Sequence, residues 1–165
     1  MSIDLFELFH GVVLTKLLRS GHPVKLCMVE TNLKECWSAY KLNDEVMLYI
    51  KYSTNPQGRK NDALVWIFTF SRANLEEIRR LSQEQSVYFA LVCGDKELSN
   101  DSMQICFLDP KKFDECSDLE GDGSRTISVK FIPGNKLRVW GNKNGAYDPL
   151  KIAARALEKW IIPGG

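Results

Sequence analysis

Residues 63–94, ALVWIFTFSRANLEEIRRLSQEQSVYFALVCG, decide the fold class. The first nine residues are dense in β-branched and aromatic side chains and read as a strand. From Ser71 the spacing changes. Leu75, Ile78 and Leu81 recur at helical intervals, with Glu76 and Arg80 an i,i+4 pair of opposite charge on the other side. VYFALVCG (87–94) is then a continuous apolar run, the pattern of a strand covered on both faces. Strand, helix and buried strand in succession predict a right-handed crossover joining a parallel pair. An α/β (α+β) chain is therefore expected.

Working outward toward the N-terminus, EVMLYIKYS, WSAYKL and VKLCMVE read as further strands. Before them, Asp4 and Glu7 have capping-box spacing, and Leu5, Phe9, Val12, Val13 and Leu17 give the following helix an apolar face. Toward the C-terminus, MQICFLDP predicts a strand ended by Pro110. TISVKFI and LRVWG predict a hairpin through the PGNK turn. Asp148 and Pro149 suit the cap and first position of a last helix whose stripe is Ile152, Ala156, Leu157 and Trp160. The expected architecture is a single mixed sheet flanked by about three helices, in one domain spanning 1–165.

Composition narrows the function classes. The chain has 165 residues, 44% of them hydrophobic and 26% charged, which suits a folded domain with its own core. Its net charge is +1, so no global field points to nucleic acid or a membrane, and such a partner must meet a local patch. The first apolar stretch is interrupted by Asp4, Glu7 and His10, and no run approaches the roughly 18 apolar residues of a membrane span. A cytoplasmic protein without a membrane partner is expected. The five cysteines are odd in number, lack paired spacing and fit reduced thiols.

Two histidines and no cysteine pair at zinc spacing leave no metal grammar of that kind. DLEGDGS places Asp118, Glu120 and Asp122 like the opening of a calcium loop, but Val129 stands where the closing acid belongs, so a solvated acidic loop is expected. No phosphate-cradling glycine loop follows any strand. A small hydrolase using a cysteine–histidine pair has no local motif behind it.

Asp44 opens the strand DEVMLYIKYS, and Lys51 sits within it. With the order helix, three or four strands, helix, strand, this resembles the restriction-endonuclease-like, or PD-(D/E)xK, family over about residues 1–94. The resemblance implies an acid near the start of one strand and an acid-x-Lys on the next, together holding a divalent metal such as magnesium and orienting water. It assigns the catalytic roles to Asp44 and Lys51. The second acid's place holds Tyr49, so Glu7 or Glu30 would have to supply that charge.

The clearest asymmetry lies in about residues 125–162, a basic hairpin and helix. Alternation puts Lys136, Arg138 and Trp140 on one face of their strand, with Lys130 beside them across the turn. Lys151 and Arg155 fall on the polar stripe of the expected last helix. Cations beside an aromatic suit phosphate contact and base stacking, although a solvated face balanced by the acidic stretch 114–122 has the same composition. The expected function is nucleic-acid handling, as a degenerate nuclease-like component of bacterial genome defence or mobile-element control. The alternative is a non-enzymatic module that binds or inhibits a protein partner.

Overall fold

The computed structural model describes residues 2–58, 62–97, 103–120 and 123–164. Helix α1 (Leu5–Leu18) starts where the capping box predicts: the Asp4 carboxylate accepts from the Glu7 N–H at 2.8 Å, and the Glu7 carboxylate accepts from the Asp4 N–H at 3.2 Å. Its buried face is Phe9, His10, Val13 and Leu17. Strands β1 (Leu26–Asn32), β2 (Trp37–Leu42) and β3 (Val46–Ser53) form an antiparallel meander. The β2–β3 turn carries Asn43 and Asp44 at φ 52° and 57°, left-handed positions that these short polar residues tolerate.

Then come β4 (Leu64–Phe70), α2 (Arg72–Glu84) and β5 (Ser86–Cys93). The parallel pair exists, but it is β3 with β5, in register from Val46↔Ser86 to Ser53↔Cys93. Strand β6 (Gln104–Leu108) closes this first sheet in the order β1-β2-β3-β5-β6. Strand β4 leaves it and pairs antiparallel with β7 (Arg125–Phe131), which continues into β8 (Leu137–Trp140) and β9 (Leu150–Ile152). The fold is mixed α/β as expected, but with two sheets instead of one.

The burial of β4 explains its departure. Leu64, Trp66, Phe68 and Phe70 are buried while Val65, Ile67 and Thr69 are not, so this strand has one dry face and one wet face. A place beside β3 demands cover on both sides, which β5 has and β4 does not. The two sheets share one core: Trp66 and Phe68 of β4, Ile127 and Val129 of β7, and Leu137 and Val139 of β8 pack with Tyr49, Phe89 and Leu91 of the first sheet and with Leu75 and Ile78 of α2. The Trp66 indole donates to the Gly94 carbonyl at 2.8 Å, tying β4 to the end of β5. On the far face of the first sheet, Phe9, Val13 and Leu17 of α1 meet Leu48, Ile50, Ala90 and Val92.

The third helix is not the expected one. Asp109 caps α3 (Pro110–Cys116), accepting from the Lys112 N–H at 2.8 Å, with Pro110 at its start. Phe113 of α3 stacks on Phe89 with ring centroids 3.8 Å apart. Asp148-Pro149, by contrast, lead into β9, followed by turns through 159 in place of a last helix. Pairing with β8 wins there, since it completes the second sheet and buries Ile152. The expected apolar residues still find cover, because Leu157 is buried and Trp160 packs against Tyr88 and Phe107 at 4.6 and 4.8 Å.

None of the five cysteines is bridged: Cys93, Cys106 and Cys116 are buried, Cys36 is half-buried and Cys27 is exposed. Among the described residues no helix is long and apolar enough to cross a membrane.

Gly141, just past β8, allows a close approach to the end of α3. A Cβ there would overlap the Cys116 carbonyl oxygen and stand 3.2 Å from the Thr126 carbonyl oxygen. Gly141→Ala should therefore lower stability by about 1–3 kcal/mol, read as a lower urea midpoint. Gly11→Ala, with open space around its Cβ inside α1, should leave stability unchanged or raise it by about 0.5–1 kcal/mol.

Candidate functional site

Lys51 lies near the C-terminal end of β3, only 6% exposed. Its ammonium donates to the Glu35 carbonyl at 2.5 Å and sits 5.6 Å from the centre of the Phe70 ring. Burial pulls its pKa below the ordinary lysine value, against the opposing pull of Cys36 and Glu35. The Glu35 carboxylate, from the β1–β2 loop, accepts from Ser71 Oγ at 2.7 Å, Asn74 Nδ2 at 2.5 Å and Trp37 Nε1 at 3.3 Å. Burial pushes its pKa up, but these three donors and the Lys51 charge together hold it below the usual carboxylate value. Lys51, Glu35, Cys36, Ser71 and Asn74 line a depression of about 300 Å³ beside the start of α2.

The acids named from the sequence do not join Lys51. Asp44 is at the opposite end of β3, seven residues away, or about 23 Å along an extended strand, and is ion-paired with Lys25 at 2.7 Å. Glu30 is on β1 with Arg80 at 3.5 Å, and Glu7 is in the α1 capping box. Tyr49, in the place of the missing acid, is fully buried in the core. Among the described residues no group of three or more His, Cys, Asp or Glu side chains is placed to hold a metal ion. A single carboxylate that already accepts from three donors is a poor fit for magnesium, which takes several anionic and water oxygens. In DLEGDGS, the Asp118 carboxylate accepts from the Glu120 N–H at 2.8 Å, while Gly121 and Asp122 lie outside the described residues.

Glu35 is the acid that the sequence reading missed. It precedes Lys51 by 16 residues and belongs to no acid-x-Lys pattern. The available signal was strand register: Trp37 pairs with Lys51, so residues just before Trp37 must reach the same end of the sheet.

The basic residues are assembled differently. Lys130 of β7, Arg138 of β8 and Lys151 of β9 are direct cross-strand partners, forming a row on the outer face of the second sheet. Among the described residues no carboxylate lies within ion-pair distance of any of them. Trp140, half-buried, is in the next row beside Ser128 and Ile67. Lys136 is exposed in the β7–β8 turn. Arg155 is not part of this surface; it pairs with Glu158 at 3.4 Å and lines a groove against α1 with Phe9 and Lys16.

Comparison with protein-family models, curated proteins and solved structures found no match to this chain.

On the α1 side of the first sheet, His10 is 2% exposed and stacks on Phe6, with centroids 4.0 Å apart. Its Nδ1 is hydrogen-bonded with Ser38 Oγ. Burial lowers its pKa from 6.5 to about 4, although the Cys36 backbone and Asp4 pull upward. The unfolded chain therefore takes the proton first as pH falls, so stability is full above 6.5 and is lost progressively down to about 4. Between pH 6.5 and about 5.5 the loss should be about 1 kcal/mol. Urea denaturation of the parent should show that loss, and His10→Gln should remove it.

Proposed function

We propose that this chain binds nucleic acid through the outer face of its second sheet. The row Lys130–Arg138–Lys151, in register and, among the described residues, outside ion-pair distance of any carboxylate, carries the reading. Charges on a solvated face are commonly interleaved with opposite ones. Three cations side by side, with no acid in the row itself, leave a local positive field that phosphates can neutralise. With a net charge of +1, such a field must come from local placement.

For the first sheet, the proposed kinship with the restriction-endonuclease-like family rests on order: α1, the β1–β3 meander, α2, then β5 parallel to β3, with β4 added between. Because the acids stand apart from Lys51, the reading is of binding without metal-dependent cleavage. A place in bacterial genome defence or mobile-element control follows from that kinship alone. A second reading, a protein-binding module, is favoured by a different surface. Edge strand β1 and the turn after it expose Met28 at 55%, Val29 at 39% and Leu33 at 61%.

Neutralising two members of the row discriminates these readings. Arg138→Gln with Lys151→Gln should reduce the slope of log affinity against log salt by about 1.4 on single strands and about 1.8 on duplex. Unchanged affinity and slope in a folded double variant would remove this surface from the function. Cleavage in magnesium that disappears in Lys51→Ala would replace binding with catalysis.

A further inference from the structure

The outer face of the second sheet is asymmetric. Reading across its strands, one row is Val65, Lys130, Arg138 and Lys151; the next is Ile67, Ser128 and Trp140; the third is Thr69 and Thr126. All the charge in these three rows is in the first, and Lys136 in the β7–β8 turn adds a further cation beyond it, on the side away from Trp140. Neighbouring strands stand about 4.8 Å apart, so the three cations cover roughly 10 Å across the sheet. Trp140 is two residues along β8 from Arg138, or about 7 Å away.

We infer that this face takes single-stranded nucleic acid laid across the strands, its phosphates over Lys130, Arg138 and Lys151 and a base stacked on Trp140. The inference rests on the nucleic-acid reading above and specifies the ligand. A duplex presents two phosphate backbones flanking each groove, and would place one of them over the uncharged Thr and Ile rows. Its bases are also stacked on one another, so their faces cannot reach an indole without being flipped out. A single strand has one backbone and free base faces, matching one charged row beside one aromatic row. Ile67, 38% exposed, extends the apolar ground beside Trp140, and Ser128 offers a hydroxyl within the same row. Arg138 is the one side chain in the three rows with a fork of paired donors, and placing it on phosphate leaves no base edge read, so the expected preference is for strandedness over sequence.

The test uses the full chain and two fluorescein-labelled probes of equal length, a thymidine oligonucleotide of about twelve nucleotides and a mixed-sequence duplex, read by anisotropy across a salt series. The single strand should bind at least about tenfold more tightly at moderate salt. Trp140→Ala should weaken single-strand binding roughly 5- to 150-fold while leaving duplex binding unchanged. Trp140→Phe should restore most of the loss, which separates stacking from any disturbance of the fold. Equal binding of both probes, or equal losses on both in Trp140→Ala, would overturn the single-strand inference while leaving the nucleic-acid reading in place. Binding of neither probe would overturn both.

Discussion

The parallel register of β3 with β5 organises the whole molecule. Eight residues of each strand pair, from Val46↔Ser86 to Ser53↔Cys93, and this places β5 where β4 would otherwise lie. Displaced from the first sheet, β4 needs another partner for its backbone and a surface for Trp66, Phe68 and Phe70. Strand β7 supplies the pairing, and the inner face of the first sheet supplies the surface. The second sheet thus exists because one position in the first is taken. The outer face of β7, β8 and β9, with its row of cations, is a consequence.

The same pairing decides what happens at the ends of the strands. Lys51 comes near the end of β3, beside the start of α2, where Ser71 and Asn74 bind the Glu35 carboxylate. Holding a buried ammonium beside a half-buried carboxylate is costly unless hydrogen bonds compensate, and here one carbonyl accepts from Lys51 while three side-chain donors bind Glu35. The cluster therefore locks the β1–β2 loop onto α2. On the opposite side of the sheet, His10 is held neutral by burial between Phe6 and Ser38, which couples the α1 side of the core to mild acid.

How legible this was depends on the range of the interaction. Local grammar worked: the Asp4–Glu7 box, the inward alternation of Ile127, Val129, Leu137 and Val139, and the double cover of β5 are all present. Long-range pairing was not legible. The run ALVWIFTF is apolar on both faces, so its single dry side was hidden and β4 was expected beside β5. Two Asp-Pro dipeptides, at 109–110 and 148–149, carry the same local signal. The first starts α3, whereas the second precedes β9 because β8 offers an edge to pair with. At the candidate site, Lys130, Arg138 and Trp140 were legible from period-two alternation. Lys151 reached the same surface on a strand where a helix was expected, while Arg155 went to another face. Glu35 was hidden because its proximity to Lys51 depends on strand register and on α2, neither of which leaves a spacing in the sequence.

We propose the outer face of the second sheet as the binding surface. Side-chain resonances report on it directly, through titration of isotopically labelled protein with a thymidine oligonucleotide followed by two-dimensional NMR. The Arg138 Nε–H and Trp140 Nε1–H signals should shift progressively, together with amides of β7, β8 and β9, while those around Glu35 and His10 remain in place. Shifts confined to β1 and the β1–β2 loop, with the Arg138 and Trp140 signals unmoved, would place the binding surface on the first sheet instead.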